Sequence, residues 1–318
     1  YMMAVLASGN KTNILPNADV VLWGYSGGAF ASGWTASLQP SYAPELAKNL
    51  IGCAFGGVPA NWTTLYAVVD GTLYNGLTVS GLYGLGAAYP KVRSLFESLI
   101  PNRMKYIMHK ARDACCVPAN VYTAYIHMFD GPKRIIAEGW DFFNREEVLE
   151  AVNHSTLGYN LTEMPEIPLF LYHGIPDNIV PVENIQKLYS DWCANGIESF
   201  EVAYSEKCHH ITEAVDGAPA AFTWIKSRFE HKEPVKGCKK STHSLNMMYP
   251  GVTTATLRLF GGLIKTLYGG ELGPSASSGS SNTSKRAEDF TFTFELDEIA
   301  LTFIEQEHQK FKRDTYVD

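Results

Sequence analysis

The stretch Asp19-Val20-Val21-Leu22-Trp23-Gly24-Tyr25-Ser26-Gly27-Gly28 constrains this chain more tightly than any other. Asp19 to Trp23 is a short apolar run with the β-branched bias of a buried strand. From Ala29 to Leu38 small residues dominate, and Gln39-Pro40 predicts the end of a helix there. A serine at the tip of a strand–turn–helix, framed as G-x-S-x-G, is the pattern of a nucleophile elbow. Such a turn pushes the Ser26 hydroxyl outward and leaves the Gly27 N–H free for an oxyanion. The alternative is a plain glycine-rich connection, because a chain with 27 glycines meets this pentapeptide by chance easily. What separates the two is whether a base and an acid follow in the right order.

Length and composition set the frame. A chain of 318 residues, 46% of them hydrophobic, can bury a large core as one domain with an insertion or as two domains. A net charge of −7 gives no basic footprint for nucleic acid. Gly71 to Pro90 is uncharged, but its five glycines and its Ser, Thr and Asn residues argue for a surface element rather than a transmembrane segment. From Tyr1 onward no signal peptide is visible.

An extracellular location is still favoured. Acceptor patterns for N-glycosylation begin at Asn10, Asn61, Asn153, Asn160 and Asn282, which reads as a glycoprotein. Six cysteines fit disulfides in an oxidising compartment, and no pair has the C-x-x-C spacing of a metal or redox site. Vicinal Cys115-Cys116 is expected to offer one thiol to a distant partner. Neither a metal nor a cofactor is expected.

The pattern divides the chain into four parts. Residues 1–59 alternate strand and helix around the elbow, ending with a second strand at Ile51 to Phe55. Residues 60–165 lose that alternation and read as an inserted helical cap, broken at Pro90, Pro101, Pro118 and Pro132. Residues 166–238 resume it, with strands at Pro168–Tyr172 and Phe200–Tyr204 and helices at Glu183–Ala194 and Ala218–Phe229. Residues 239–318 hold an amphipathic helix at Val252–Tyr268 and a Gly/Ser linker over 274–284. They continue with a strand-like alternation of Phe290, Phe292, Phe294 and Leu296, then a charged tail. The whole predicts an α/β-hydrolase fold, a mostly parallel sheet carrying an α-helical cap.

Serine needs a base, and the base an orienting acid, in the order Ser, Asp or Glu, His. Asp177, in His173-Gly174-Ile175-Pro176-Asp177, follows a strand and suits the acid, although Pro-Asp-Asn would equally make a turn. His210, in Cys208-His209-His210-Ile211-Thr212, suits the base, with His209 as its rival.

These residues resemble the fungal secretory lipases of the Candida type. The likeness runs through Gly24–Gly28 with Ala31-Ser32-Gly33-Trp34, and through Leu38–Leu46 and Gly56-Gly57. It continues through His173–Asp177 with Ile179-Val180-Pro181, and ends in His210-Ile211-Thr212 with Gly217–Ala220 and Trp224. It covers about residues 1–250. It implies a Ser26–Asp177–His210 triad cleaving triacylglycerol or related lipid esters at a lipid–water interface, with Gly27 as an oxyanion donor. It also implies a Cys193–Cys238 disulfide. Tyr25, Leu73, Leu77, Leu82 and Tyr83 are then candidates for holding the acyl chain, the alternative for the last four being a packed helical interior. A short-chain carboxylesterase, another acyl hydrolase, or an inactive fragment lacking the oxyanion loop are the competing readings.

The chain also departs from that family's pattern. Only 25 residues precede Ser26, so the early strands of the sheet are expected to be missing. The loop with the second oxyanion N–H and the cysteine that would pair with Cys116 are expected to be missing too. The expectation is an N-terminally truncated chain with weak activity or none by itself, and with an uncovered edge on its first strand.

Overall fold

The computed structural model describes residues 6–267 together with residues 306, 309, 310 and 313. In chain order, strand β1 (Val20–Tyr25) leads into helix α1 (Gly27–Tyr42) and strand β2 (Leu50–Gly56). Six helices follow: α2 (Trp62–Val69), α3 (Gly76–Ala88), α4 (Pro90–Leu99), α5 (Asn102–Arg112), α6 (Cys116–Thr123) and α7 (Glu146–His154). Then come β3 (Leu169–Gly174), α8 (Val182–Ala194), β4 (Ser199–Ser205), α9 (His210–Asp216), α10 (Ala218–Phe229), β5 (Gly237–His243) and α11 (Thr254–Leu267). The expected Gly/Ser linker, the alternating phenylalanines and the acceptor Asn282 lie outside the described residues.

Among the described residues, 6–59, 160–177 and 185–267 form one compact unit, and 60–159 with 178–184 form a second. The first unit is built on a parallel sheet in the order β1-β2-β3-β4-β5. β3 and β4 are buried along their whole length, and most of their side chains are apolar, with Glu201 the charged exception. On one face Phe200 packs against Phe55 at 6.3 Å and against Tyr189 and Trp192 of α8 at 5.3 and 5.6 Å. On the other, Ala54, Phe170, Tyr172 and Ala203 meet Ala220, Ala221, Trp224 and Ile225 of α10. The sheet is thus covered on both sides, the layering of an α/β-hydrolase.

Two elements differ from expectation. Helix α1 does not stop at Gln39 but runs through Pro40 to Tyr42. Pro40 removes the bond its own N–H would make and its ring crowds the carbonyl of Ala36, a cost this helix meets only in its last turn. Strand β5 was not expected, and it runs across residue 238. Its sequence, Gly237-Cys238-Lys239-Lys240-Ser241-Thr242-His243, is polar because it forms the outer strand beside β4, where lysines discourage further pairing.

In the helical unit, Phe129 packs on Phe143 and Trp140 at 4.9 and 5.0 Å. The Asp70 carboxylate accepts the N–H groups of Met128, Phe129 and Asp130 at 2.6, 3.1 and 3.0 Å, fixing the loop that carries this cluster. No helix among the described residues is long and apolar enough to cross a membrane.

Candidate active site

Ser26 sits between β1 and α1 with φ 53° and ψ −119°, a conformation that side-chain-bearing residues rarely adopt. Its N–H donates to Gly56 O of β2 at 2.8 Å, and its carbonyl accepts from Phe30 N of α1 at 2.9 Å, so the neighbouring strand and the following helix hold the turn. The turn is tight enough that a Cβ on Gly24 would lie 2.2 Å from Gly28 O. The hydroxyl makes no helix-capping bond; Ser26 Oγ lies 2.9 Å from His210 Nε2.

His210 opens α9, and its other ring nitrogen, Nδ1, is 2.7 Å from Asp177 Oδ2. A hydroxyl, an imidazole and a carboxylate therefore stand in series, drawn from three separate strand ends. Such a row can take a proton from the hydroxyl and hold the resulting imidazolium. The Asp177 side chain is fully buried, and His173 Nε2 stands 3.7 Å from the same oxygen. His209, the rival base, is elsewhere: its Nδ1 is 2.6 Å from Pro176 O. Gly27, the first residue of α1, is exposed, and its N–H has no acceptor within the helix.

Tyr25 is not an open binding surface. Its hydroxyl donates to the main-chain carbonyl of His210 at 2.5 Å, and its ring lies 5.2 Å from the imidazole. Burial, reinforced by the charges of Asp177 and Glu213, raises its phenol pKa well above the ordinary value, so it stays a donor. Leu73, Leu82 and Tyr83 are buried within the helical unit and Leu77 is half-buried. Tyr83 packs edge-on against Phe96 at 5.3 Å.

Gly57, immediately after β2, stands against Tyr25 and His210. Its φ is +57°, and an added Cβ would come within 2.7 Å of the Tyr25 ring and 3.0 Å of His210 Cε1. Glycine is required there by both the backbone and the space.

Residues 2–237 match the family described as secretory lipase. The chain belongs to the secretory lipase family. It is 40% identical to lipase 1 of Candida albicans over 276 residues, which is 86% of this chain and 59% of that protein. It is 31% identical to a secreted triacylglycerol lipase of Malassezia furfur over 83% of this chain and 54% of that one. The solved structure of Candida antarctica lipase A superposes with a TM-score of 0.68 at 25% identity, over 80% of this chain and 60% of that chain. The chain thus spans under two thirds of the length of these relatives.

Cys193, in the last turn of α8, forms a disulfide with Cys238 of β5, while Cys115 and Cys116 are exposed thiols. Behind His210, the Cys208 sulfur and carboxylate oxygens of Glu213 and Asp216 lie within 4.8 Å of one another. Burial raises the pKa of all three groups, that of Asp216 to about 6. Asn246 donates from its main chain to Asp216 Oδ2 at 2.5 Å and from Nδ2 to Glu213 Oε1 at 2.6 Å. Two carboxyl groups this close and this dry resist ionising together, so the set suits a retained proton.

Proposed function

We propose that this chain carries the acyl-transfer centre of an extracellular lipase that hydrolyses triacylglycerol or related lipid esters. The observation that carries the reading is the unbroken series from Ser26 Oγ through His210 to Asp177 at 2.9 and 2.7 Å, set on a strained elbow. Membership of the secretory lipase family supports the substrate class and the extracellular location.

In this reading His210 Nε2 accepts the Ser26 proton as Oγ attacks the ester carbonyl. Asp177 keeps the remaining ring proton on Nδ1 and stabilises the imidazolium. The Gly27 N–H, at the positive end of α1, donates to the developing oxyanion. His210 then returns its proton to the leaving alcohol, and water activated by the same imidazole releases the fatty acid. The helical unit is assigned the lipid–water interface, in keeping with membership of the secretory lipase family.

The test is covalent trapping. An alkyl phosphonate should label the chain at Ser26, and Ser26→Ala should abolish the adduct; absence of labelling in the unaltered chain would sink the proposal. Turnover of triolein emulsion over tributyrin and a peptide ester then separates a lipase from a short-chain esterase or peptidase.

A further inference from the structure

Helix α9 is only seven residues long and begins with His210. A helix so short does not hold itself in place, so its seat must come from tertiary contacts. One turn after His210 comes Glu213, fully buried, with Oε1 accepting Asn246 Nδ2 at 2.6 Å. The same Nδ2 donates to Ala203 O of β4 at 3.1 Å, and the Asn246 N–H donates to Asp216 Oδ2. One asparagine, from a single 3-10 turn after β5 (Asn246–Met248), therefore ties both carboxyl-bearing residues of α9 to the sheet.

We infer that Glu213, held by Asn246, is a positioning residue that keeps the His210 imidazole between Ser26 and Asp177. The inference rests on the acyl-transfer reading given above. Glu213 acts through the helix rather than on substrate, and burial together with the neighbouring Asp216 holds its carboxyl pKa well above the usual range. The groups facing it are Asp216 on its own helix, Cys208 ahead of that helix, Asp177 in the loop after β3, Tyr172 on β3 and Tyr25 on β1. None supplies a cation. A charge on Glu213 would meet Asp216 and Asp177 in a dry interior, and the helix would be pushed from its seat. The base should therefore be well placed in mildly acidic solution and displaced as the pH rises.

The test uses the full chain and two readouts. The first is the rate at which a fluorophosphonate labels Ser26, followed from about pH 5 to about pH 9. The second is the low-field proton resonance of His210 Nδ1–H in its bond to Asp177, which reports the seat of the ring without any catalysis. Asn246→Ala and Glu213→Ala should each slow labelling by about tenfold or more and weaken the resonance. Glu213→Gln keeps an oxygen for Asn246 and cannot ionise; it should restore both readouts and carry labelling to higher pH than the unaltered chain. Superimposable pH profiles for the unaltered chain and Glu213→Gln overturn the inference. So does an Asn246→Ala protein whose labelling stays within about twofold and whose resonance is unchanged. If Ser26 fails to label in any variant, the acyl-transfer reading falls, while the resonance still decides the positioning.

Discussion

Tyr25 and His210 are joined by a hydrogen bond from a phenol to a main-chain carbonyl, at 2.5 Å across 185 residues of sequence. The residue before the elbow serine thus holds the backbone of the candidate base, and its ring lies against the imidazole. Tyr25→Phe keeps the ring contact and deletes only the donor. The expected cost is about 1 kcal/mol of stability, with a matching fall in phosphonate labelling. Chemical denaturation and labelling rates on the same samples check it; a variant indistinguishable in both would show the bond to be idle.

The elbow motif contains glycines that the structure treats differently. At Gly24 a Cβ would lie 2.2 Å from Gly28 O and 2.7 Å from Ala29 N, both main-chain atoms that cannot step aside. Gly28 has nothing within 4 Å of its would-be Cβ. Gly24→Ala should therefore cost about 3 kcal/mol or prevent folding. Gly28→Ala, in the first turn of α1, should be neutral or stabilising by about 0.5 kcal/mol. Melting temperatures of the pair would settle the contrast, and equal losses would mean that the tight turn is wrongly placed.

Much of this architecture is readable in the linear chain because parallel strands buried on both faces leave continuous apolar runs. Leu169–Gly174 and Ser199–Ser205 declare themselves in this way, and glycines and prolines punctuate the helices between them. Ser26, Asp177 and His210 could be chosen because each follows such a run in the order an elbow demands, and the structure brings them together. The end of α1 lies three residues beyond Gln39, because proline's bias against helix is a preference that the helix overrides in its last turn. Strand β5 was hidden by its polar outer-edge composition. Nothing local marks Glu213, Asp216 and Asn246, since their meaning lies in burial and in bonds spanning about thirty residues. Tyr25 illustrates the same limit: an aromatic beside the nucleophile suggests a substrate wall, and only the fold shows it turned toward the base.

The Cys193–Cys238 bridge closes a loop of 45 residues that contains β4, α9 and α10. By the chain-entropy relation such a closure removes about 4 kcal/mol of unfolded-state freedom. Cys193→Ser with Cys238→Ser should lower stability by about that amount, seen as a lower denaturant midpoint with little change in the folded spectrum. Cys238 also anchors the outer strand through its pairing with Phe200, so protease sensitivity should rise first around β5. A midpoint unmoved by reduction would contradict this account.

Asp216 makes stability depend on pH in an unusual direction. Most native carboxylates have pKa values below the unfolded value and lose stability in acid. Burial instead raises Asp216 to about 6, against 3.8 for the free side chain, because the ionised form loses water and gains only partial compensation from the hydrogen bonds of Asn246 and Cys208. The folded state thus binds the proton more tightly than the unfolded one. Its contribution is fully present below about pH 4 and is lost as the pH climbs through about 6. Glu213 is raised in the same direction by burial and by Asp216, so it adds to the same slope. The melting temperature should therefore fall between about pH 4 and about pH 7, and Asp216→Asn, which keeps an oxygen for the Asn246 N–H, should flatten that slope. A slope that Asp216→Asn leaves intact would assign the dependence to other groups.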